Sequence, residues 1–413
     1  MSMNPFNEKP LKMSEDFYDW KQLALRPYNK FEVDPYTRVR IILAKGAEFE
    51  ACWFGHQFHR HERNNDLRRE LALLRRKEQQ QQKRIAALKP IGESILEHTI
   101  GYEQLAVDLT AIFAERESNK YVRAAMDFAL LEDFDHLYRY ADLLEMDKGI
   151  QAEKLVGGYT ELMPGRPTIA EHRFPTDEVK RYVNFKQATT LTKLDINILT
   201  AAEQQTMNYY MNQANFYQNN LGRQLFTEIG MIEEQHVSLY GGLKDTTCTW
   251  LEELLMHEYT ECYLYYSLLE DETDAHVKKV WEQHFNDELC HLHKACELLT
   301  KYENKVWQQV IPDGEFPELL VFHSNIEYVR KVLADTVNLT SDGEEYVDVG
   351  KLPADDKFFE YQSQVNGSDS QVASHNVICK YIADNDKDYR FETAQHPVEE
   401  LRDRRVDNTE VGR

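Results

Sequence analysis

The chain has 413 residues, of which 42% are hydrophobic and 29% are charged, as in an ordinary globular protein that can bury a large core. Acidic residues outnumber basic ones by 71 to 48, and the net charge is -23. This excess argues against nucleic acid or an anionic membrane as a partner, because both are bound by basic surfaces.

The sequence shows no secretion signal and no apolar run of membrane-spanning length. Its six cysteines form no Cys-x-x-Cys pair, which disfavours a zinc ribbon or a rubredoxin-type site. Scattered thiols are typical of a reducing compartment, so we expect a cytoplasmic protein.

The N-terminal region, residues 1–90, is predicted to form an extended arm followed by a helical extension. Its first part is polar and rich in proline and aromatic residues. The remainder has a helical pattern in which Leu67, Leu71 and Leu74 share one face. The run RRKEQQQQKR is polar all round, so we expect a solvated helix or connector there. Pro90 closes the region.

Residues 91–305 are predicted to form an all-α bundle. The hydrophobic pattern and the helix breakers favour three long helical hairpins, at about 93–146, 185–240 and 250–302. A segment rich in glycine and proline, at about 147–180, separates the first hairpin from the second and is predicted to be a loop.

Two glycine positions and the C-terminal region complete the predicted layout. In the second hairpin, Gly222 is expected to mark a bend, and Gly241 and Gly242 are expected to end the helix. Residues 306–413 are punctuated by proline, glycine and aspartate, and are predicted to be a C-terminal extension that wraps the bundle or mediates assembly.

A spacing of acids and histidines recurs in all three hairpins. Three histidines follow an acid by three residues, which places both side chains on one helical face: Asp133 and His136, Glu233 and His236, and Glu288 and His291. Another glutamate lies 30 residues before each of these acids: Glu103, Glu203 and Glu258. A hairpin with its turn midway has arms of about 22 Å, so residues 30 apart face each other at one height.

The first and third hairpins also align with each other. Counting from Glu103 and Glu258, the matched positions are Glu115 with Glu270, Val122 with Val277, and Leu144 with Leu299. These matches indicate an internal repeat.

Inward-facing carboxylates and histidines at these spacings are typical of dinuclear iron or manganese sites in four-helix bundles. Carboxylates bridge and neutralise the cations, and neutral imidazoles complete the ligand set. The predicted metal ligands are Glu203, Glu233, His236, Glu258, Glu288 and His291, and, from the first hairpin, Glu103, Asp133 and His136.

The three hairpin sequences resemble those of the ferritin-like, rubrerythrin-like di-iron carboxylate superfamily. The segment EQQTMNYYMNQANFYQNNLGRQLFTEIGMIEEQHVSLYGGL carries the glutamate, a tyrosine six or seven residues on, and Glu-Glu-x-His. The segment that begins HEYTECYLYY is similar, and the one that begins YEQLAVDLTA is a weaker copy. The resemblance covers about half of the chain and implies a ferritin-like bundle.

Two departures from this pattern leave alternatives open. Asp133 stands where a glutamate is expected, and Glu132 could substitute for it. Three hairpins are predicted where two suffice. The loop at 147–180 resembles the family's crossover and favours the first hairpin with the second, whereas the full Glu-x-x-His motifs favour the second with the third. A protein with two sites is a further alternative.

Several residues near the predicted ligands have two possible roles. Glu261 is either an extra ligand or a surface acid, and Glu234 and Asp287 could orient the imidazoles. A group of tyrosines either hydrogen-bonds outer carboxylates or only packs: Tyr209, Tyr210, Tyr263, Tyr265 and Tyr266.

The predicted function is that of an oxidoreductase, an oxidase, oxygenase or peroxidase, that uses O2 or peroxide at a centre of two iron ions, with manganese as the alternative metal. The sequence holds no nucleotide or flavin motif, so electrons are expected from a partner protein or the substrate. A ferroxidase or storage protein and a metal-free helical scaffold remain the alternatives. We expect a homo-oligomer that binds neither nucleic acid nor membrane.

Overall fold

The computed structural model describes residues 3–10, 17–164, 166 and 172–388, and this part of the chain is mostly helical with one short pair of strands, which confirms the all-α prediction. No helix in it is both long and apolar enough to cross a membrane. The helices are α1 (Trp20–Leu23), α2 (Pro35–His61), α3 (Asn65–Ala87), α4 (Ile95–Arg116), α5 (Lys120–Lys148), α6 (Ala152–Leu155), α7 (Thr190–Phe216), α8 (Asn220–Leu243), α9 (Trp250–Asp271), α10 (Ala275–Glu303), α11 (Ile326–Thr336), α12 (Lys357–Asn366) and α13 (Ala373–Asn385). The strands are β1 (Leu339–Asp342) and β2 (Glu345–Asp348), which pair antiparallel.

The chain forms two compact units, each made of segments that are distant in sequence. The first unit takes the described residues within Met1–Glu93, Val183–Ala202 and Asp245–Phe322, and the second takes those within Ser94–Tyr182, Glu203–Lys244 and His323–Arg413. This division differs from the predicted single bundle at 91–305 with two extensions. The helical pattern shows where helices lie, and it carries no information on which hairpins pack together.

The first unit is built on two hairpins. Helices α2 and α3 form one, α9 and α10 form the other, α2 packs against α9, and α3 packs against α10. Residues within 1–90, predicted as an arm and an extension, therefore supply half of this bundle.

The polar run RRKEQQQQKR lies in α3, and one face of it is turned to the interior of the first unit, whereas a helix solvated all round was predicted. Its residues Lys77, Glu78, Gln81 and Arg84 are all buried. The two basic groups, on Lys77 and Arg84, have partners inside the unit, and Glu78 belongs to a buried group of acids. Arg84 Nε donates to His284 Nε2 at 3.3 Å, and the Lys77 ammonium lies 4.4 Å from the centre of an aromatic ring. A polar helix can be buried when its polar groups are paired in this way.

The second unit contains the hairpin of α4 and α5. It also contains the hairpin formed by α8 with the C-terminal part of α7, where Gly230 lies against Tyr210 and Met211. Helix α5 packs against α8, and α11 and α13 also pack on α5. The β1–β2 hairpin turns at Gly343, whose φ of +59° is a conformation that favours glycine.

All four hairpins share one design. Three residues connect the helices, and the third caps the second helix by accepting a backbone N–H, a role that Asn and Asp favour. The caps are Asn64, Asn119, Asn219 and Asp274. In every hairpin one acid lies 16 residues before the cap and another lies 14 residues after it, at the same height on the facing arm.

The helices α2–α5 recur as α7–α10. Each helix boundary repeats 155 residues later to within one residue, as in the step from Pro35 to Thr190. The repeat predicted between the first and third hairpins therefore extends to the other two. The bundles combine the copies: the first hairpin of the first copy packs with the last hairpin of the second.

The glycines of α8 do not act as expected. The break in the predicted second hairpin falls at Tyr217–Asn219, and Gly222 lies in the first turn of α8. The helix continues through Gly241 and Gly242 to Leu243, with Lys244 as its C-cap.

Candidate metal centres

The second unit brings together the six predicted ligands of the first and second hairpins. They come from four helices and form two groups, within each of which the potential ligand atoms all lie within 4.8 Å of one another. One group is Glu103, His136 and Glu233, and the other is Asp133, Glu203, Glu233 and His236. Glu233 belongs to both, which is the position of a carboxylate that can bridge two cations.

The imidazoles of this cluster turn Nδ1 toward the acids. His136 Nδ1 lies 3.0 Å from Glu233 Oε1. His236 Nδ1 lies 3.1 Å from Asp133 Oδ1, 3.4 Å from Glu233 Oε2 and 3.7 Å from Glu203 Oε2. Asp133 itself, and not Glu132, therefore takes the place in the cluster.

Glu132 contacts the imidazole of His236 on the side opposite the other acids. His236 Nε2 lies 2.8 Å from Glu132 Oε2, and Glu132 Oε1 pairs with the guanidiniums of Arg166 and Arg173. Arg173 also pairs with Glu178. A carboxylate behind a histidine fixes its tautomer and ring orientation, which leaves the other nitrogen for a metal.

Glu234 and Asp287, which were predicted as possible orienting acids, hydrogen-bond to hydroxyl groups instead. Glu234 is exposed and accepts from Ser238 Oγ at 3.0 Å. Asp287 accepts from Tyr18 Oη at 2.6 Å. The orienting carboxylate, Glu132, precedes Asp133 directly, and its adjacency was the only signal in the sequence.

Burial and mutual repulsion shift the pKa values of the acids in this cluster of the second unit. Burial raises the pKa of Glu103 and of Glu203 well above the ordinary value, and the neighbouring acids raise both further. Burial would also raise the pKa of Glu233, but hydrogen bonds from His136 and His236 lower it to about 2. The cluster therefore favours a positive charge in its centre.

Two carboxylate oxygens of this cluster, Glu103 Oε2 and Asp133 Oδ2, are buried without a hydrogen-bond partner. Buried carboxylate oxygens without partners are costly and call for an explanation. A cation bound between the acids supplies one, so the donor set fits a metal centre.

The first unit contains a second cluster, also in two groups. Glu78, Glu258, Glu288 and His291 form one, and Glu48, Glu78 and Glu261 form the other. Glu78 is common to both groups. The third predicted hairpin thus closes its cluster with α2 and α3, a hairpin absent from the prediction.

His291 Nδ1 faces the acids of this cluster. It lies 2.8 Å from Glu78 Oε1, 3.1 Å from Glu288 Oε2 and 3.8 Å from Glu258 Oε2. Burial and the charge of Glu78 raise the pKa of Glu288 to about 7. Burial would raise the pKa of Glu78 as well, but the nearby His291 outweighs burial and lowers it.

Glu48 and Glu78 were not predicted as ligands, because the prediction relied on histidines that follow an acid by three residues. They are 30 residues apart, as in the other hairpins, but Gln81 stands where the others have histidine. The 30-residue spacing of acids, used without the histidine, was the signal that could have found them. Glu261, which had two readings, is buried within the cluster and is not a surface acid.

Two of the five predicted tyrosines contact cluster carboxylates. Tyr210 Oη donates to Glu103 Oε1 at 2.5 Å, and Tyr265 Oη donates to Glu48 Oε1. The hydroxyls of Tyr209 and Tyr263 donate to backbone carbonyls instead.

Comparison with known proteins adds no relative, since no family profile, curated protein or solved structure matches this chain.

Proposed function

We propose that the second unit holds a dinuclear metal centre and that this protein is a ferritin-like oxidoreductase acting on O2 or peroxide. The observation that carries the proposal is the convergence of two glutamates, an acid-x-x-His pair on each of two further helices, and a shared Glu233 in one buried cluster. This is the ligand set of dinuclear carboxylate bundles.

The charges of the cluster suit two divalent cations. Its four carboxylates, on Glu103, Asp133, Glu203 and Glu233, balance the four positive charges of two such ions. Imidazole together with carboxylate suits iron, with manganese as the alternative. A pair of such ions supplies the one-electron steps that O2 or peroxide chemistry needs.

The chain's own residues would hold and shield this centre. Glu132 orients His236, and Arg166 and Arg173 keep Glu132 ionised. The ligands are all but excluded from solvent, which strengthens every electrostatic interaction among them. Electrons would come from a partner protein or from the substrate.

A cleft beside this network favours an enzyme over a storage protein. Its volume is about 910 Å³, and its lining includes Arg173 and Glu178, together with Arg223, Gln235 and Tyr361. Small-molecule sites commonly have this size. A ferroxidase has no need of such a cleft, and a metal-free scaffold has no need of six buried ligand groups.

The test is anaerobic Fe(II) titration of the full chain beside Glu233→Gln, with Glu234→Gln as the matched control. Glu234 is adjacent and exposed, so its loss leaves the cluster intact. We expect Glu233→Gln to bind two iron equivalents per chain fewer than the unchanged chain. It should also lose the absorbance change that oxidation of this iron gives when O2 is added.

An unchanged iron content in a folded Glu233→Gln chain would rule out this centre. Iron bound normally but inert to both O2 and peroxide would rule out the oxidoreductase and the ferroxidase alike.

A further inference from the structure

The cluster of the first unit differs from that of the second at one histidine position. The residue three after the second acid of each hairpin is His136, His236 and His291 in three hairpins, and Gln81 in the fourth. Gln81 Nε2 donates to Glu288 Oε1 at 2.5 Å. This amide holds a carboxylate in place, and the cluster has one nitrogen donor fewer.

The same cluster has one carboxylate more. Glu261 follows Glu258 by three residues on α9, and the equivalent positions of the other hairpins are Ala51, Ala106 and Thr206. Only 1% of Glu261 is exposed, and it groups with Glu48 and Glu78. Packing does not explain the buried carboxylate of Glu261, because the other three hairpins pack without an acid at the equivalent position.

Its oxygens also have no hydrogen-bond partner. Both Glu261 oxygens and Glu258 Oε2 are buried and accept no hydrogen bond. The nearest imidazole nitrogen, His257 Nε2, lies 3.6 Å from Glu261 Oε2, beyond hydrogen-bond distance. Carboxylate oxygens of Glu48 on α2, Glu78 on α3 and Glu261 on α9 lie within 4.8 Å of one another, and Glu48 Oε2 also makes no hydrogen bond. Buried acids that converge in this way point to a cation between them.

We propose that the first unit holds a second dinuclear site, in which Glu48, Glu78 and Glu261 form an all-oxygen position that selects a hard divalent cation, Mn²⁺ in preference to Fe²⁺ or Zn²⁺. The adjoining position is formed by Glu78, Glu258, Glu288 and His291. Carboxylate-only sites suit Mn²⁺, whereas imidazole favours iron and zinc. The site shares no residue with the cluster of the second unit, so it stands or fails independently.

Five carboxylates and one imidazole surround this site, against four and two in the other unit. Two divalent ions leave it with one negative charge in excess. This excess strengthens cation binding overall, while the loss of one nitrogen ligand removes part of the usual preference for the later transition metals.

The test is a titration of the full chain with Mn²⁺, measured by calorimetry and by electron paramagnetic resonance. A second titration in the presence of Zn²⁺ measures the competition between the two ions. Glu261→Gln should lose one Mn²⁺ equivalent or bind it at least about tenfold more weakly, because even the loss of a residue that only orients a metal ligand costs about tenfold or more. Glu270→Gln, an exposed acid on the same helix, is the matched control and should bind as the unchanged chain does.

A gain-of-function variant keeps the test decisive if Glu261→Gln folds poorly. Gln81→His restores the missing nitrogen and should lower the preference for Mn²⁺ over Zn²⁺ by at least about tenfold. The proposal is overturned if Glu261→Gln binds Mn²⁺ like its control, or if Gln81→His leaves the Mn²⁺ to Zn²⁺ ratio unchanged. Glu233→Gln, which removes the other centre, should leave this Mn²⁺ equivalent in place.

Discussion

Two adjacent acids on α5 show how much a single position decides. Successive helical residues point about 100° apart, and Asp133 and Glu132 reach the two nitrogens of His236 from opposite sides. Asp133 joins the cluster, whereas Glu132 is held by Arg166 and Arg173. Burial would raise the pKa of Glu132, but the two guanidiniums outweigh burial and hold it well below its usual range.

Replacing this carboxylate should destabilise the second unit strongly. Glu132→Gln leaves two buried guanidiniums with one carboxylate fewer, and we expect a loss of about 3–5 kcal/mol in the free energy of unfolding. The measurement is urea denaturation of the metal-free chain, with the exposed Glu234→Gln as control, which should change by less than about 0.5 kcal/mol.

The pH dependence of this loss follows from the pKa of Glu132. A folded-state pKa below the ordinary value contributes stability that is present above the unfolded pKa of about 4.3 and is lost as the pH falls toward the folded value. The difference in the free energy of unfolding between the unchanged chain and Glu132→Gln should therefore become smaller below about pH 4. A difference that is constant across this range would mean that packing, and not the charge, causes the loss.

At the scale of the element, the hairpin is the repeated unit of this protein. The caps, the three-residue connections and the facing acids are alike in all four hairpins, although few other residues match. The turn between α7 and α8 has a tyrosine, Tyr217, where the other three turns have Glu62, Glu117 and Glu272. In the hairpin of α7 and α8, the ring of Tyr217 lies against Gly222, and its hydroxyl donates to Asp147 Oδ2 at 2.5 Å.

Two glycines of α8 should therefore respond oppositely to alanine. A Cβ at Gly222 would overlap the Tyr217 ring, so Gly222→Ala should cost about 1–3 kcal/mol. A Cβ at Gly241 meets no atom within 4 Å, so Gly241→Ala should stabilise the chain by about 0.5–1 kcal/mol through helix propensity. Thermal and urea unfolding measure both. Equal effects of one sign would contradict the close approach at Gly222.

At the scale of the whole molecule, the first unit needs both ends of a long stretch of chain. Its two hairpins are separated by the residues that form most of the second unit, within Ser94–Tyr182 and Glu203–Lys244. Contacts between residues so far apart in sequence are slow to form and costly in chain entropy. A cation that binds only the folded cluster would offset part of that cost.

Metal should therefore stabilise each unit separately. At a free concentration of 100 times the dissociation constant, a bound ion adds about 2.7 kcal/mol to the free energy of unfolding. We expect a chelator to lower the stability of both units. Glu233→Gln should lose only the metal-dependent stability of the second unit, and Glu261→Gln only that of the first, as measured by urea denaturation with and without metal. A chelator that leaves the unfolding of both units unchanged would contradict metal binding at either cluster.

The amino-acid sequence by itself determined the helical pattern of most of the chain, all six residues of the cluster in the second unit, and Glu258, Glu288 and His291 of the cluster in the first. These features are local: helix faces repeat every 3.6 residues, and a 30-residue spacing fixes which acids oppose each other across one hairpin. The tertiary structure alone decided that α2 and α3 form a fourth hairpin of a bundle, that the polar residues of α3 are buried, and that Glu261 faces inward. The physical reason is that packing between hairpins joins residues more than 200 positions apart in the chain, such as Arg40 and Asp271, and no short-range pattern records such a pairing.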